Sequence, residues 1–351
     1  MAWLVSFRDL QWRRRRFAIA VVATALVFAL GLILSGVSAS FDNEIDRTVD
    51  SFGADVWLVR AGTLGPFTAP TTMPASRVES VRRLPGVRRA DPVLVLGATT
   101  TTPSARNLNM VGVVPGGVGS PAGAEGRGLG RRGTANADSS LGLKSRDRLK
   151  LNGMSLRVAD VTRGMTYFAG IPRVTVSLSE AQRIGLEGRR LATAIVVQGR
   201  PTRVPPGLTL LENSEVAQDL ERPIGQAKDT ISFIRILLWL VAAGIIGAIV
   251  YLSALERIGD FAVLKAIGVS VRDLVAGLLI QAVLLSLLSA LLAIGLQAAI
   301  APAVAMSVEV PLTTFLTMPL VAVFVGALAS FLGLRRALAV DPALAFAGAT
   351  R

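Results

Sequence analysis

The chain contains no cysteine and no histidine. Their absence excludes a disulfide scaffold, a thiol nucleophile, a Ser/His/Asp triad, the HExxH zinc helix and most transition-metal sites together. Charge is also scarce: 17% of the 351 residues are charged and 52% are hydrophobic, against about 25% charged in an average soluble domain. That balance points to a membrane class. Lysine is almost missing, found only at Lys144, Lys150, Lys228 and Lys265, so arginine carries the net charge of +13. No zinc finger, helix-turn-helix or aromatic-interleaved basic module accompanies this excess, and the expected counterpart is anionic lipid rather than nucleic acid. A GxxxxGK[ST] loop is absent too, so this polypeptide does not cradle ATP by that device.

What is present begins with apolar runs. Residues 17–39 carry no charge, enough to cross a hydrocarbon core of about 30 Å at about 1.5 Å per residue. They follow Arg13, Arg14, Arg15 and Arg16, which hold the amino end in the cytoplasm. Upstream, Trp3, Leu4, Phe7 and Leu10 recur at helical spacing, as in a helix lying on the membrane surface over residues 1–16. The run exceeds a signal-peptide core and further spans follow, so an uncleaved first transmembrane helix is expected. Three more spans are expected at 231–255, 274–301 and 310–334, with an outer loop at 302–309 and a tail at 335–351. Arg257, Lys265, Arg272, Arg335, Arg336 and Arg351 then face the cytoplasm, whereas the outer loop holds only Glu309. This is the positive-inside distribution, with both termini cytoplasmic. No span has an interior Asp, Glu, Lys or Arg, which disfavours an ion-coupled carrier. Gly244, Gly247, Gly295 and Gly326 are either close-packing points between helices or ordinary membrane-helix glycines.

Residues 40–230 differ. Charges return, and short β-type runs appear at 55–60, 92–96, 109–114, 148–151, 155–161, 173–177 and 192–197. Asn152-Gly153 predicts a hairpin between two of them. Helices are expected at 41–52, 76–84, 179–184 and 214–220. The fold class expected is therefore an α-helical membrane protein of four transmembrane helices with an α+β extracytoplasmic domain between helices 1 and 2. Within that domain the Gly/Ala/Arg-rich tract 115–140 lacks periodicity and is expected to be a mobile loop. Its Arg127, Arg131 and Arg132 are either an anion or partner contact or a solvated surface. Asp91 and Asp160 are expected at the surface or in turns rather than as an acid/base pair.

The charged interruption at 256–273, ERIGDFAVLKAIGVSVRD, is the stretch around which the chain is organised. On a helix Glu256 and Asp260 share a side with Arg257 nearby, and Leu255, Ile258 and Ala262 lie opposite. Beyond Val263 the pattern is apolar nearly all round, which suits an element wedged between bilayer and protein partner. A plain inter-helix connector fits the same spacing. Gly268 ends the element, and Ser270 can cap the next helix.

Residues 260–270, DFAVLKAIGVS, resemble the loop between the second and third helices of the MacB/FtsX-like permease family, the membrane subunits of certain ABC transporters. Asp260 stands where Glu is commoner in that loop. The tail Val340, Asp341, Pro342, Ala343, Leu344 and Ala345 is similar to the family's V-D-P-x-x-A motif, and Leu84, Pro85, Gly86 and Val87 followed by Pro92 resemble its L-P-G-V element. The resemblance implies a separate ATPase subunit that grips Glu256, Arg257, Asp260, Phe261, Leu264, Lys265, Ile267 and Gly268. It implies no catalytic, metal or cofactor site in this chain, with ATP bound by the partner. It further implies a second permease copy, identical or related, in a bacterial inner membrane, and an outer domain worked mechanically. The cargo of such permeases is lipoprotein, peptide or drug; the alternative is a non-transporting module that regulates a cell-wall hydrolase through a periplasmic or extracellular partner. The glycine-rich tract and the modest outer domain depart from the best-known exporters, which leaves transfer to an outer-membrane partner open.

Overall fold

The computed structural model describes residues 14–121, 128–168, 170–256, 259, 263, 268–301 and 310–337. Most of the expected surface helix at the amino end, the outer loop 302–309, nearly all of the tail and half of the charged interruption lie outside them. Six helices are described: α1 (Arg14–Asp50), α2 (Val78–Arg82), α3 (Leu178–Leu186), α4 (Asn213–Glu256), α5 (Val271–Ile300) and α6 (Leu312–Ala337). The chain divides into two compact units, Met1–Ser40 with Lys228–Arg351, and Phe41–Ala227.

The first unit is helical, and its core mixes alanine with larger apolar side chains. On α1, Ala25, Phe28, Ala29 and Leu32 fall at i, i+3, i+4 and i+7 and are buried; on α4 the buried positions Ala242, Ile246, Val250 and Ala254 recur every fourth residue. Leu278, Ala282, Leu285 and Ala293 of α5 and Val325 of α6 complete the same core. The opposite stripes are large and apolar: Ile19, Val22, Leu26 and Leu30 on α1, and Leu312, Leu316, Leu320 and Phe324 on α6, all exposed. Water would penalise such a surface, and lipid does not. Three helical stretches among the described residues are long and apolar enough to cross a membrane, Phe17–Asp50, Asn213–Glu256 and Ala276–Ile300. The fourth expected span coincides with α6, which is not one of these three. Gly31 of α1, absent from the sequence-based candidates, is where a Cβ would lie 3.9 Å from Trp239 of α4, whereas Gly244 and Gly295 have open space and so are not contact points within the unit.

The second unit is built on strands β1 (Val56–Arg60), β2 (Met73–Pro74), β3 (Val87–Thr100), β4 (Arg106–Val113), β5 (Thr134–Asp138), β6 (Arg148–Leu151), β7 (Met154–Thr162), β8 (Thr166–Tyr167), β9 (Ile171–Ser177), β10 (Leu191–Ala192), β11 (Ala194–Gly199) and β12 (Leu208–Glu212). The long β3 serves two sheets. Its first half pairs with β11 in the order β12-β1-β11-β3, all antiparallel. Alternation then puts Val56, Leu58, Ile195 and Val197 on one face, where Val78, Val81 and Leu84 of the α2 region cover them, while Trp57 and Val196 point the other way. Its second half opens the order β3-β4-β9-β5-β7-β6, and a pairing of Thr100 with Leu151 brings β6 back to β3, closing a six-stranded barrel. Leu94, Leu108, Met110, Leu149, Leu156, Val174 and Val176 fill it, and α3 packs on through Ala181. Gly112 permits that approach, since a Cβ there would lie 2.3 Å from the Ala181 Cβ.

All seven expected strand runs fall on observed strands, and the Asn152-Gly153 turn joins β6 to β7 with both residues at positive φ, 45° and 83°. The tract 115–140 is the correction: it is not a loop throughout, because residues 134–138 form β5, inserted between β9 and β7 with Ala135, Asn136, Ala137 and Asp138 buried. Its Ala, Asn and Asp are poor strand formers; two waiting neighbours supply the pairing that propensity lacks.

Candidate functional site

Of the residues expected to meet a partner subunit, Glu256 and Gly268 are described; Arg257, Asp260, Phe261, Leu264, Lys265 and Ile267 lie outside the described residues. Glu256 is the last residue of α4. Gly268 sits at φ 96°, the left-handed conformation that ends a helix at low steric cost. Two residues on, Ser270 is in extended conformation, its Oγ accepts from the Asp273 N–H at 3.2 Å and donates to the Asp273 carboxylate at 2.7 Å, and α5 begins. The helix that follows the segment therefore begins with a cap. Above it, Ser253 of α4 and Gln281 of α5 exchange hydrogen bonds at 3.4 Å, and Val263 is exposed.

Sequence reasoning missed the groups that hold the ends of α1 and α4 inside the second unit. Arg173 of β9 is 1% exposed. Its guanidinium lies 4.8 Å from the Phe52 ring centroid and donates to Ser51 Oγ at 2.7 Å and Thr175 Oγ1 at 3.1 Å, yet Nη2 has no partner. Ser51 in turn donates to the Thr48 carbonyl, Thr48 donates to the Thr166 carbonyl, and Glu44 accepts from the Thr166 hydroxyl and the Gly170 N–H. The last turns of α1 are thus tied to the β8–β9 region. Phe52 meets Trp57 edge-on at 4.8 Å, and Phe67 joins them and Tyr167. Burial pushes the Tyr167 hydroxyl above its ordinary pKa, and the charge of Arg173 opposes that only in part. At the start of α4, Asn213 accepts from Trp57 Nε1 at 2.9 Å and donates to the Ala54 carbonyl at 3.0 Å. Asp219, fully buried, accepts from the Phe67 N–H at 2.8 Å and from the N–H and hydroxyl of Thr68. One signal for Arg173 was available: a lone cation inside the apolar strand IPRVTVS, alternating onto one face with Thr175 and Ser177.

Asp91 is not a surface residue. It is buried within β3, bound to Arg82 at 2.6 Å and to the Val118 N–H at 2.8 Å. Asp160 is half-buried and accepts from the next residue's N–H. Arg131 and Arg132 are exposed, and Arg127 lies outside the described residues. Among the described residues no group of three acidic side chains is placed to hold a metal ion.

Against known proteins, the FtsX-like permease C-terminal family model matches residues 232–342, a range that contains the charged interruption. The ABC transporter permease Rv2563 of Mycobacterium tuberculosis is 40% identical over 344 residues, covering 98% of this chain and 99% of that protein. Another permease of the same organism, Rv0072, is 38% identical with the same coverage. Among solved structures, the periplasmic region of MacB from Actinobacillus actinomycetemcomitans superposes with a TM-score of 0.34 at 9% identity, covering 50% of this chain and 97% of that one. The extracellular domain of the ABC-type transporter YknZ from Gram-positive bacteria gives 0.31 at 11%, covering 42% and 84%. With end-to-end similarity to named permeases and the family's C-terminal domain over its apolar helices, this chain belongs to the ABC transporter permeases of the FtsX-like family.

Proposed function

We propose that this permease couples ATP hydrolysis in a separate nucleotide-binding subunit to movement of its outer domain. The observation that carries the proposal is that α1 and α4 are unbroken helices, Arg14–Asp50 and Asn213–Glu256, although the boundary between the compact units falls inside each. A helix is stiff along its axis because its turns are hydrogen-bonded, and α4 stays helical through Pro223 although that residue has no N–H to donate, so a push on α4 is passed along it rather than absorbed in a loop. The Arg173 and Asp219 anchors then pass it to the strands of the outer domain. In this proposal the contact surface for the ATPase is Glu256, Arg257, Asp260, Phe261, Leu264, Lys265, Ile267 and Gly268, facing the cytoplasm of an inner membrane. The fourth span is α6, both termini are cytoplasmic, and two copies, or this chain and a related one, make the working unit. The cargo class that suits an apolar helical surface is a hydrophobic, lipid or peptide molecule.

The test is coexpression of the full chain with each candidate P-loop ATPase subunit of the same genome. One of them is expected to copurify with it, and Lys265→Glu is expected to lower permease-stimulated ATP hydrolysis by about tenfold, the worth of one or two charge-assisted contacts, while leaving the ATPase alone unaffected. Failure to retain any ATPase, or labelling of a Lys265→Cys variant from outside intact cells, overturns the proposal.

A further inference from the structure

On the solvent side of the barrel, a cleft of about 340 Å³ is lined by Gly97, Thr99, Asn107, Asn109, Asn152 and Ile171, with Ala98 and Leu108 at its base. Its size lies at the lower end of small-molecule sites, about 300–1,000 Å³. Strand register explains the composition. Gly97 pairs with Asn109 and Thr99 with Asn107 across β3 and β4, so these four share one face, while Ala98 and Leu108 are buried on the other. Gly97 makes the hollow: a Cβ there would meet nothing within 4 Å.

We propose that this cleft binds a neutral sugar residue. No charged side chain lines it, and an ionic ligand left without a counter-charge is costly to desolvate. A purely apolar ligand would strand the amides. Asn109 Nδ2 is buried without a partner, and Asn152 spends its Oδ1 on the Thr99 N–H at 2.8 Å, which leaves its Nδ2 as the available donor. A side-chain amide both donates and accepts, as a sugar hydroxyl does, and Ile171 offers an apolar wall to the C–H face of the ring. An extended peptide is the poorer match. It binds a sheet chiefly by adding to a free strand edge, and here β3 is paired with β4 while β4 is paired with β9.

The experiment is calorimetry and saturation-transfer NMR on the full chain in a detergent without a sugar headgroup, with chitotriose, maltotriose and an amidated trialanine as probes. Saccharide binding is expected, with trialanine inert. Gly97→Val fills the hollow on a strand that favours β-branched residues, and is expected to weaken binding by about tenfold or more, with unchanged thermal unfolding; Asn109→Leu is expected to do the same. Should Asn109→Leu not fold, Gly97→Val decides alone. Absence of saccharide binding by the parent chain, equal binding by Gly97→Val, or capture of trialanine instead overturns the proposal. None of these outcomes depends on ATP coupling.

Discussion

The two units of this permease invert each other. In the helical unit alanines such as Ala25, Ala29, Ala242, Ala282 and Ala293 are buried beside a few larger residues, Phe28 and Leu32 among them, and the large residues Leu291, Leu312, Leu316 and Phe324 face outward. In the second unit the large residues Trp57, Phe52, Tyr167 and Met110 are inside, and among its large apolar residues only a few, such as Leu64 and Val204, are exposed among the described residues. The same chain obeys two solvents. Lipid gives no reward for burying Leu, so close approach of small residues holds the helices together; water does, so aromatic bulk holds the domain.

The largest expected effect tests the aqueous half. Trp57→Ala removes the ring packed edge-on against Phe52 and Phe67 and the donor to Asn213; the stability of the second unit should fall by about 3–5 kcal/mol, read as a drop in the denaturant midpoint of the full chain. The next compares like with like. Leu291 and Leu64 are 69% and 65% exposed, yet Leu291→Arg should impair membrane insertion by about 2.5–3.5 kcal/mol, whereas Leu64→Arg should change stability by less than about 0.5 kcal/mol. Equal tolerance at the two sites would show that the α5 surface is not facing lipid. Third, Gly153→Val places a β-branched residue at φ 83° in the β6–β7 turn and should cost about 1–3 kcal/mol, seen as a lower melting temperature.

The smallest effect is electrostatic. The Gly199 N–H, with smaller help from the neighbouring Arg88, holds the Asp55 carboxyl below its ordinary value against the opposing effect of burial. A carboxylate depressed in the folded state adds stability above its unfolded pKa of 3.8 and loses it as pH falls through the folded value. Asp55→Asn should therefore lower stability at pH 6 and match the parent chain well below pH 3.8. Its side chain is 52% exposed, so solvent screening holds the difference to about 0.5 kcal/mol or less, measurable as a pH series of unfolding midpoints.

Legibility followed the range of the interactions. Gly268 and Ser270 were readable because a left-handed stop and a serine cap act within a few residues, and the Asn152-Gly153 hairpin for the same reason. Strand β5 was not, because its Thr-Ala-Asn-Ala-Asp sequence carries no strand signal and its pairing partners, β7 and β9, lie about twenty to forty residues further on. Asp91 was misplaced because its partner Arg82 is recruited by a turn between helix and strand that spacing alone does not fix. Arg173 and Asp219 went unread for a related reason: a buried charge is explained only by the groups around it, here Ser51, Phe52 and Thr175 for one and Phe67 and Thr68 for the other.

By itself the sequence determined the apolar runs, the charged interruption between α4 and α5, and the alternation that makes 40–230 a strand-rich domain, since each depends on side-chain period and composition along a continuous stretch. Only the tertiary structure decided that β3 serves two sheets, that Thr100 meets Leu151 to close the barrel, and that three asparagines and a glycine gather around one hollow. Those arrangements arise from pairings between residues far apart in the chain, where many registers share the same local pattern and packing selects one.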